Sequence, residues 1–314
     1  MDVQKLLDPE VAAALVGMAG LEGVTLAGIP AVRAQRAASR PVVDLSDAVE
    51  RTDYTVPGPG RAPGVLLRLH RPRQRGAEAL PCVYWMHGGG YIFGSYDQED
   101  ARFDRWVRQF NCAAVSVEYR LAPEAPYPAA VEDSYAALKW LHEHASELGI
   151  DAARIGIGGA SAGAGLAAGL ALLVRDRAEF DIAFQLLIYP MLDDRQATPS
   201  SAWEVPVWPP SANTLGWSAY LGARTGDEVP IYAAPARATD LTRLPPALIV
   251  VGGLDGFADE DIEYAKRLNQ AGVPAELHLY PGAPHAFDSM APATGVARRA
   301  TAQIEEWLGR MLAR

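Results

Sequence analysis

Lysine is nearly missing from this chain: only Lys5, Lys139 and Lys266 occur among 314 residues. Arginine supplies the rest of the 28 basic side chains, against 38 acidic ones, for a formal charge of −10. No basic run offsets that balance, so nucleic acid is not an expected partner. Cysteine is sparse too. Cys82 and Cys112 sit in strand-like apolar runs, outside any C-x-x-C or metal-ligand spacing, and read as small buried hydrophobes. No His/Cys/carboxylate cluster has metal spacing, so neither a metal nor a cofactor is expected. Long apolar runs are absent, and nothing approaches the ~18 residues of a membrane span. The stretch Val11–Gly20 is apolar but short, and Asp2, Asp8 and Glu10 stand where a signal peptide carries positive charge. A cytoplasmic protein with no membrane partner is expected. Repeats and low-complexity tracts are also missing.

What remains is an ordinary globular composition, 49% apolar and 21% charged. Area scaling gives roughly 49,000 Å² for the unfolded chain and roughly 13,000 Å² for the folded one. About three-quarters of the surface can be buried, so no disulfide or metal staple is needed.

The first 45 residues read as amphipathic and helical, with Leu7, Val11, Leu15 and Met18 on one stripe of a packing helix. After Pro57-Gly58-Pro59-Gly60 strands and helices alternate. Strands are predicted at Val65–His70, Pro81–Met86, Ala113–Tyr119, Ile155–Gly159, Ala183–Tyr189, Ala247–Gly252 and Ala275–Tyr280, and Arg71–Ala79 reads as a polar turn. Helices fall at Asp97–Phe110, from Val131 through Leu148, at Ala162–Val174, from Ile262 to Leu268, and along the stripe Val296, Ala300, Ile304, Trp307, Leu308 and Met311. This rhythm predicts an α/β fold with a mainly parallel central sheet and helices on both faces. Between Pro190 and Pro246 strand signals stop, while Trp203, Trp208, Trp217 and several prolines appear. That stretch reads as an insertion over the strand ends.

Two motifs carry chemistry. Gly159-Ala160-Ser161-Ala162-Gly163 follows a buried strand and opens a helix, the setting of a nucleophile elbow. A Gly/Ser-rich helix start with a capping Ser gives the same letters, so the context is what gives them weight. His87-Gly88-Gly89-Gly90 follows the strand Pro81–Met86. Three successive glycines cost chain entropy. A loop whose N–H groups face a small anion explains them, and in acyl transfer that anion is the tetrahedral oxyanion. The N–H groups of Gly88, Gly89 and Ala162 are the candidate donors. Both phosphate-loop patterns are absent.

A serine nucleophile needs a base. Among the six histidines, His70 and His278 lie in strands, His142 and His144 in a helix, and His87 before the glycine loop. Only His285 sits in a loop after a late strand, where side chains gather at the end of a parallel sheet. The acid is expected between Ser and His. Asp255 lies just past Ala247–Gly252, whereas Asp259, Glu260 and Asp261 read as favourable placement at a helix dipole.

With these residues placed, the chain resembles the hormone-sensitive-lipase-like group of α/β-hydrolases, the bacterial family IV esterases. The resemblance rests on His87–Gly90, Glu118-Tyr-Arg-Leu-Ala-Pro-Glu124, Gly159–Gly163, Tyr189-Pro190, Asp255 with Asp259-Glu260, and His285. It runs from about Pro81 to the C-terminus. The elbow is Gly-Ala-Ser-Ala-Gly-Ala where the family often has G-D-S-A-G-G. The acid segment is Asp255-Gly-Phe-Ala-Asp-Glu260 where D-P-L-x-D-E is common. Neither change removes a catalytic group. The resemblance implies a triad of Ser161, Asp255 and His285, and a helical cap from 1–45 and 190–225. The catalytic domain would then comprise 46–189 and 226–314. It also implies a carboxylic-ester hydrolase for small esters of short-to-medium acyl chains, and a homodimer. Tyr91 and Trp208 are expected at the substrate pocket. An amide deacetylase or acyltransferase would use the same site. The gibberellin receptors of this fold lack the catalytic histidine, which is present here as His285.

Overall fold

The computed structural model describes residues 3–18, 20, 21, 23–39 and 43–314. Eight strands form one sheet in the order β1-β2-β4-β3-β5-β6-β7-β8. A short helix α1 (Pro9–Ala14) and a longer α2 (Ile29–Ala38) come first, then β1 (Val49–Val56), β2 (Val65–Pro72) and β3 (Leu80–Met86). Helix α3 (Asp100–Phe110) leads to β4 (Ala113–Glu118), and α4 (Ala129–Glu143) with α5 (Ala145–Leu148) leads to β5 (Ile150–Ala160). Helix α6 (Ala162–Arg177) leads to β6 (Gln185–Ile188), and the insertion after it holds α7 (Pro210–Leu221). The chain finishes with β7 (Ala247–Gly252), α8 (Ala258–Gln270), β8 (Ala275–Tyr280), α9 (Phe287–Met290) and α10 (Gly295–Leu312). Strands β3 to β8 pair in parallel, while β2 runs antiparallel to both β1 and β4.

The pleat of β3 shows how two cores arise from one strand, since successive side chains point to opposite faces. Cys82, Tyr84 and Met86 join a core with α4, α6 and α8, including Leu138, Leu170 and Leu268. Val83 and Trp85 join a second core with Trp106 of α3 and Ile304 and Trp307 of α10. Every residue of β3 is buried, which is why the strand reads as a continuous apolar run. Both cysteines are buried, Cys82 in β3 and Cys112 just before β4, and burial pushes the Cys112 thiol up to about 12.

Two expectations are corrected, and one strand, β1, is added. The stripe through Met18 is not one helix. Leu7 precedes the N-cap Asp8, Leu15 is the C-cap of α1, and Met18 is 46% exposed. Gly17, at φ +80°, turns the backbone out of the helix. β1 carries no alternating apolar signal, because cross-strand charges hold it: Asp53 faces Arg68 at 2.7 Å and Glu50 faces Arg71 at 2.9 Å. β2 runs on to Pro72, into the predicted polar turn.

The N-terminal segment docks where the later loops end. Asp8 caps α1 by accepting from the Glu10 and Val11 N–H groups, and its own N–H donates to Gly282 O at 2.9 Å. Such a cap is worth about 1 kcal/mol. Val3 and Leu7 close a small core with Val205 of the insertion and Leu254 beside Asp255. Arg33 of α2 forks onto Glu124 and also donates to Ile92 O and Ala122 O. Among the described residues no helix is long and apolar enough to cross a membrane.

Candidate active site

Strand β5 ends in the elbow. Ser161 stands between β5 and α6 with φ +57° and ψ −123°, a conformation that costs a non-glycine residue about 1–3 kcal/mol. Surrounding backbone bonds hold it there: Ser161 N–H donates to Ile188 O, and Ser161 O accepts from Ala164, Gly165 and Met191. The flanking glycines have a steric reason. A Cβ at Gly159 would lie 2.3 Å from the Gly163 carbonyl carbon, and one at Gly163 would lie 2.2 Å from Met86 O.

Loops after β7 and β8 bring the partners. His285 Nε2 lies 2.8 Å from Ser161 Oγ, and His285 Nδ1 lies 2.8 Å from Asp255 Oδ2. Asp255 Oδ1 accepts from the Phe257 N–H at 3.0 Å. All three residues are buried, with Ser161 the most accessible at 7%. The imidazole sits among aromatic rings: Tyr189 at 4.8 Å, Phe257 at 5.0 Å and Trp208 at 6.4 Å between centroids. The structure thus brings together the three residues expected from the sequence.

The glycine loop follows β3, which neighbours β5 in the sheet, so it lies beside the elbow. A Cβ at Gly88 would come within 2.9 Å of Ala160 O. His87 stacks on Tyr119 at 4.2 Å, and the Tyr119 hydroxyl donates to His87 O at 2.6 Å, which fixes the start of the loop. Among the described residues the N–H groups of Gly88, Gly89 and Ala162 donate to no protein acceptor. Unused backbone donors at a helix N-terminus and an adjoining loop are what an oxyanion requires.

Trp208 rests on this loop. A Cβ at Gly90 would lie 2.1 Å from its ring, so only glycine lets the indole approach. Its Nε1 donates to Asn213 Oδ1 of α7 at 3.3 Å. Tyr91, also expected at the pocket, differs. It is 1% exposed, stacks on Tyr220 at 3.8 Å and donates to Met191 O, so its ring packs the interior and offers substrate no surface. Two larger cavities, about 600 and 460 Å³, lie elsewhere, against Leu80 and Leu312 and between α3 and α10. Neither is lined by a triad residue.

The acidic run at the start of α8 does more than meet a helix dipole. Asp259 Oδ2 accepts from the Ser200 N–H. Glu260 is 4% exposed and accepts from the Leu192 and Asp193 N–H groups at 2.7 and 3.2 Å. Asp261 is fully buried. Burial raises the carboxyls of Glu260 and Asp261 well above the ordinary range. Placement at a helix dipole does not account for their burial: the helix turns both inward, against the base of the insertion and the acid loop. His142 lies in α4, as expected. It is half-buried, stacks on Phe180 at 4.4 Å, and burial lowers it to about 4.

Residues 83–289 match the family described as alpha/beta hydrolase fold. Esterase LipI of Mycobacterium tuberculosis is 37% identical over 276 residues, covering 87% of this chain and 86% of the relative. Carboxylesterase NlhH of the same species is 36% identical over 242 residues, covering 71% and 72%. The solved structure of a bacterial heroin esterase superposes with a TM-score of 0.92 at 41% identity, covering 98% of each chain. A hyperthermophilic esterase from Pyrobaculum calidifontis gives 0.82 at 32%, covering 98% and 99%. With the family model matched from β3 to α9, the chain belongs to the α/β-hydrolases, in their hormone-sensitive-lipase-like branch.

Proposed function

We propose that this protein hydrolyses carboxylic esters through Ser161, His285 and Asp255. One observation carries the reading: an unbroken line of two 2.8 Å contacts from Asp255 through His285 to Ser161, at the ends of three parallel strands. Ser161 Oγ attacks the ester carbonyl while His285 Nε2 takes its proton. Asp255 accepts from Nδ1–H, which selects the tautomer with a free Nε2 and stabilises the imidazolium. The N–H groups of Gly88, Gly89 and Ala162 hold the oxyanion. The alcohol leaves with the proton from His285, and water then attacks the acyl-enzyme by the same route in reverse. The named relatives are esterases, which supports this chemistry over amide hydrolysis.

The substrates are small esters with acyl chains of roughly two to eight carbons. That range rests on the family resemblance and on a crowded site. The His285 ring is hemmed by Tyr189, Phe257 and Trp208, with ring centroids 4.8, 5.0 and 6.4 Å away. Turnover of p-nitrophenyl esters by wild type and Ser161→Ala tests the reading. Ser161→Ala keeps the fold and loses several orders of magnitude in kcat, leaving only the residual of about 10³–10⁴ over water that an oxyanion hole and binding supply. Wild-type turnover in Ser161→Ala would remove the nucleophile.

A further inference from the structure

The two hydrogen bonds of His285 fix its ring nitrogens but leave the tilt of the ring about the Asp255–Ser161 line to packing. Tyr189 meets the ring at 4.8 Å and 66°. Tyr189 is 2% exposed, and its backbone N–H donates to Val250 O at 2.6 Å, which holds its backbone just past the end of β6. Its hydroxyl donates to Asp288 Oδ1 at 2.8 Å. Asp288 stands three residues after His285, in the same turn, and is 8% exposed. Its Oδ2 lies 3.2 Å from Arg102 Nη2, and Arg102 Nε lies 2.8 Å from Glu99. A ring of contacts results. The His285 imidazole touches the Tyr189 ring, the Tyr189 hydroxyl holds Asp288, and the short backbone from Asp288 returns to His285.

We propose that Tyr189 and Asp288 are positioning residues that set the tilt of the His285 imidazole. Arg102 compensates the buried Asp288 carboxylate, which would otherwise be costly to hold ionised. Neither residue touches the reacting atoms. They act by keeping Nε2 aimed between Ser161 Oγ and the leaving oxygen, where small misplacements cost rate. This inference rests on the hydrolase reading and adds to it two residues outside the triad.

The test measures kcat, KM and the unfolding midpoint for wild type, Tyr189→Phe, Asp288→Ala, Asp288→Asn and the double variant Tyr189→Phe/Asp288→Ala, with p-nitrophenyl acetate. Tyr189→Phe removes one oxygen and keeps the ring. It lowers kcat by about tenfold with KM within about twofold, because alignment and not binding is lost. Asp288→Ala does the same, and Asp288→Asn, which keeps an oxygen to accept from the phenol, recovers most of the loss. The double variant is no slower than Asp288→Ala, since both changes break one link. Wild-type kcat in Tyr189→Phe overturns the proposal, as do losses that multiply in the double variant or a KM that rises in step. Should Asp288→Ala fail to fold, Tyr189→Phe still decides. A wild-type protein without ester turnover would sink the hydrolase reading itself, whereas a silent Tyr189→Phe beside an active wild type sinks only this inference.

Discussion

Asp259 and Ser200 hold each other by reciprocal hydrogen bonds: Asp259 Oδ2 accepts from the Ser200 N–H at 2.8 Å, and Ser200 Oγ accepts from the Asp259 N–H at 3.1 Å. The pair ties the first turn of α8 to the insertion after β6. Asp259 therefore has a structural task, four residues from an aspartate with a different one.

That division predicts unequal effects of the same change. In Asp255→Asn the retained oxygen stays on the Phe257 N–H, which places the new amide NH₂ toward His285 Nδ1. Nδ1 must then accept, the proton moves to Nε2, and Nε2 can no longer take the proton of Ser161. A wrong tautomer of this kind costs about 10⁴ in kcat in a serine protease. Asp259→Asn keeps an oxygen for the Ser200 N–H, so kcat stays within about threefold of wild type and the unfolding midpoint falls by a few degrees at most. Paired kinetics and melting curves check this. Equal activity losses at both positions would mean that the acid is misassigned.

The three residues that meet at the site were legible because each is marked locally: Ser161 by its glycines, His285 and Asp255 by their places after late strands. The buried strands were legible for a similar reason, since β3, the second half of β5 and β7 are buried on both faces. β1 was not, because ion pairs with β2 hold it. The links around the site were not legible either. Tyr189 and Asp288 are 99 residues apart, and Glu260 and Leu192 are 68 apart. The parallel order β6-β7-β8 and the first turn of α8 bring those partners together, and no spacing in the chain announces it. Tyr91 was misplaced because adjacency to the glycine loop says nothing of which way a ring turns. Here it turns onto Tyr220.

Asp261 gives a prediction about stability. Neither of its carboxyl oxygens has a hydrogen-bond partner among the described residues. Burial first, then the charges of Glu260 and Asp255, raises its folded-state pKa well above the ordinary value. The folded protein therefore keeps a proton that the unfolded chain releases above about pH 4. With fewer protons bound in the unfolded state, stability falls as pH rises from there toward the raised pKa. Asp261→Asn is uncharged throughout and removes that slope. Its midpoint exceeds wild type by a few degrees at pH 8, and the gap narrows toward pH 4.5. Melting curves across that range measure it, and parallel curves for the two proteins would contradict the assignment.

Trp208 sets the last prediction. Its indole presses on Gly90 of the glycine loop, reaches Asn213 on α7 and lies 6.4 Å from the His285 ring. On the proposed reading, an acyl chain entering beside Ser161 meets that wall. Each methylene that finds apolar cover contributes about 0.8 kcal/mol, so kcat/KM rises over the first additions. Once the space is filled, a further methylene pushes side chains off their rotamers at a cost of about 1–3 kcal/mol. The gain reverses, and the optimum falls between roughly two and eight carbons, where the family resemblance also puts it. Replacing Trp208 by Ala opens volume against the loop. It also removes the contact that steadies Gly90, so absolute rates fall for every ester while the optimum shifts to longer chains. Kinetics over p-nitrophenyl esters of increasing length, in wild type and Trp208→Ala, separate the two effects, because only the wall changes the shape of the series. A wild-type optimum beyond about twelve carbons would argue for a lipase, since a filled short-chain pocket forbids it on the overpacking cost above. An unchanged optimum in Trp208→Ala would leave ester hydrolysis standing and place the limiting wall on another side chain.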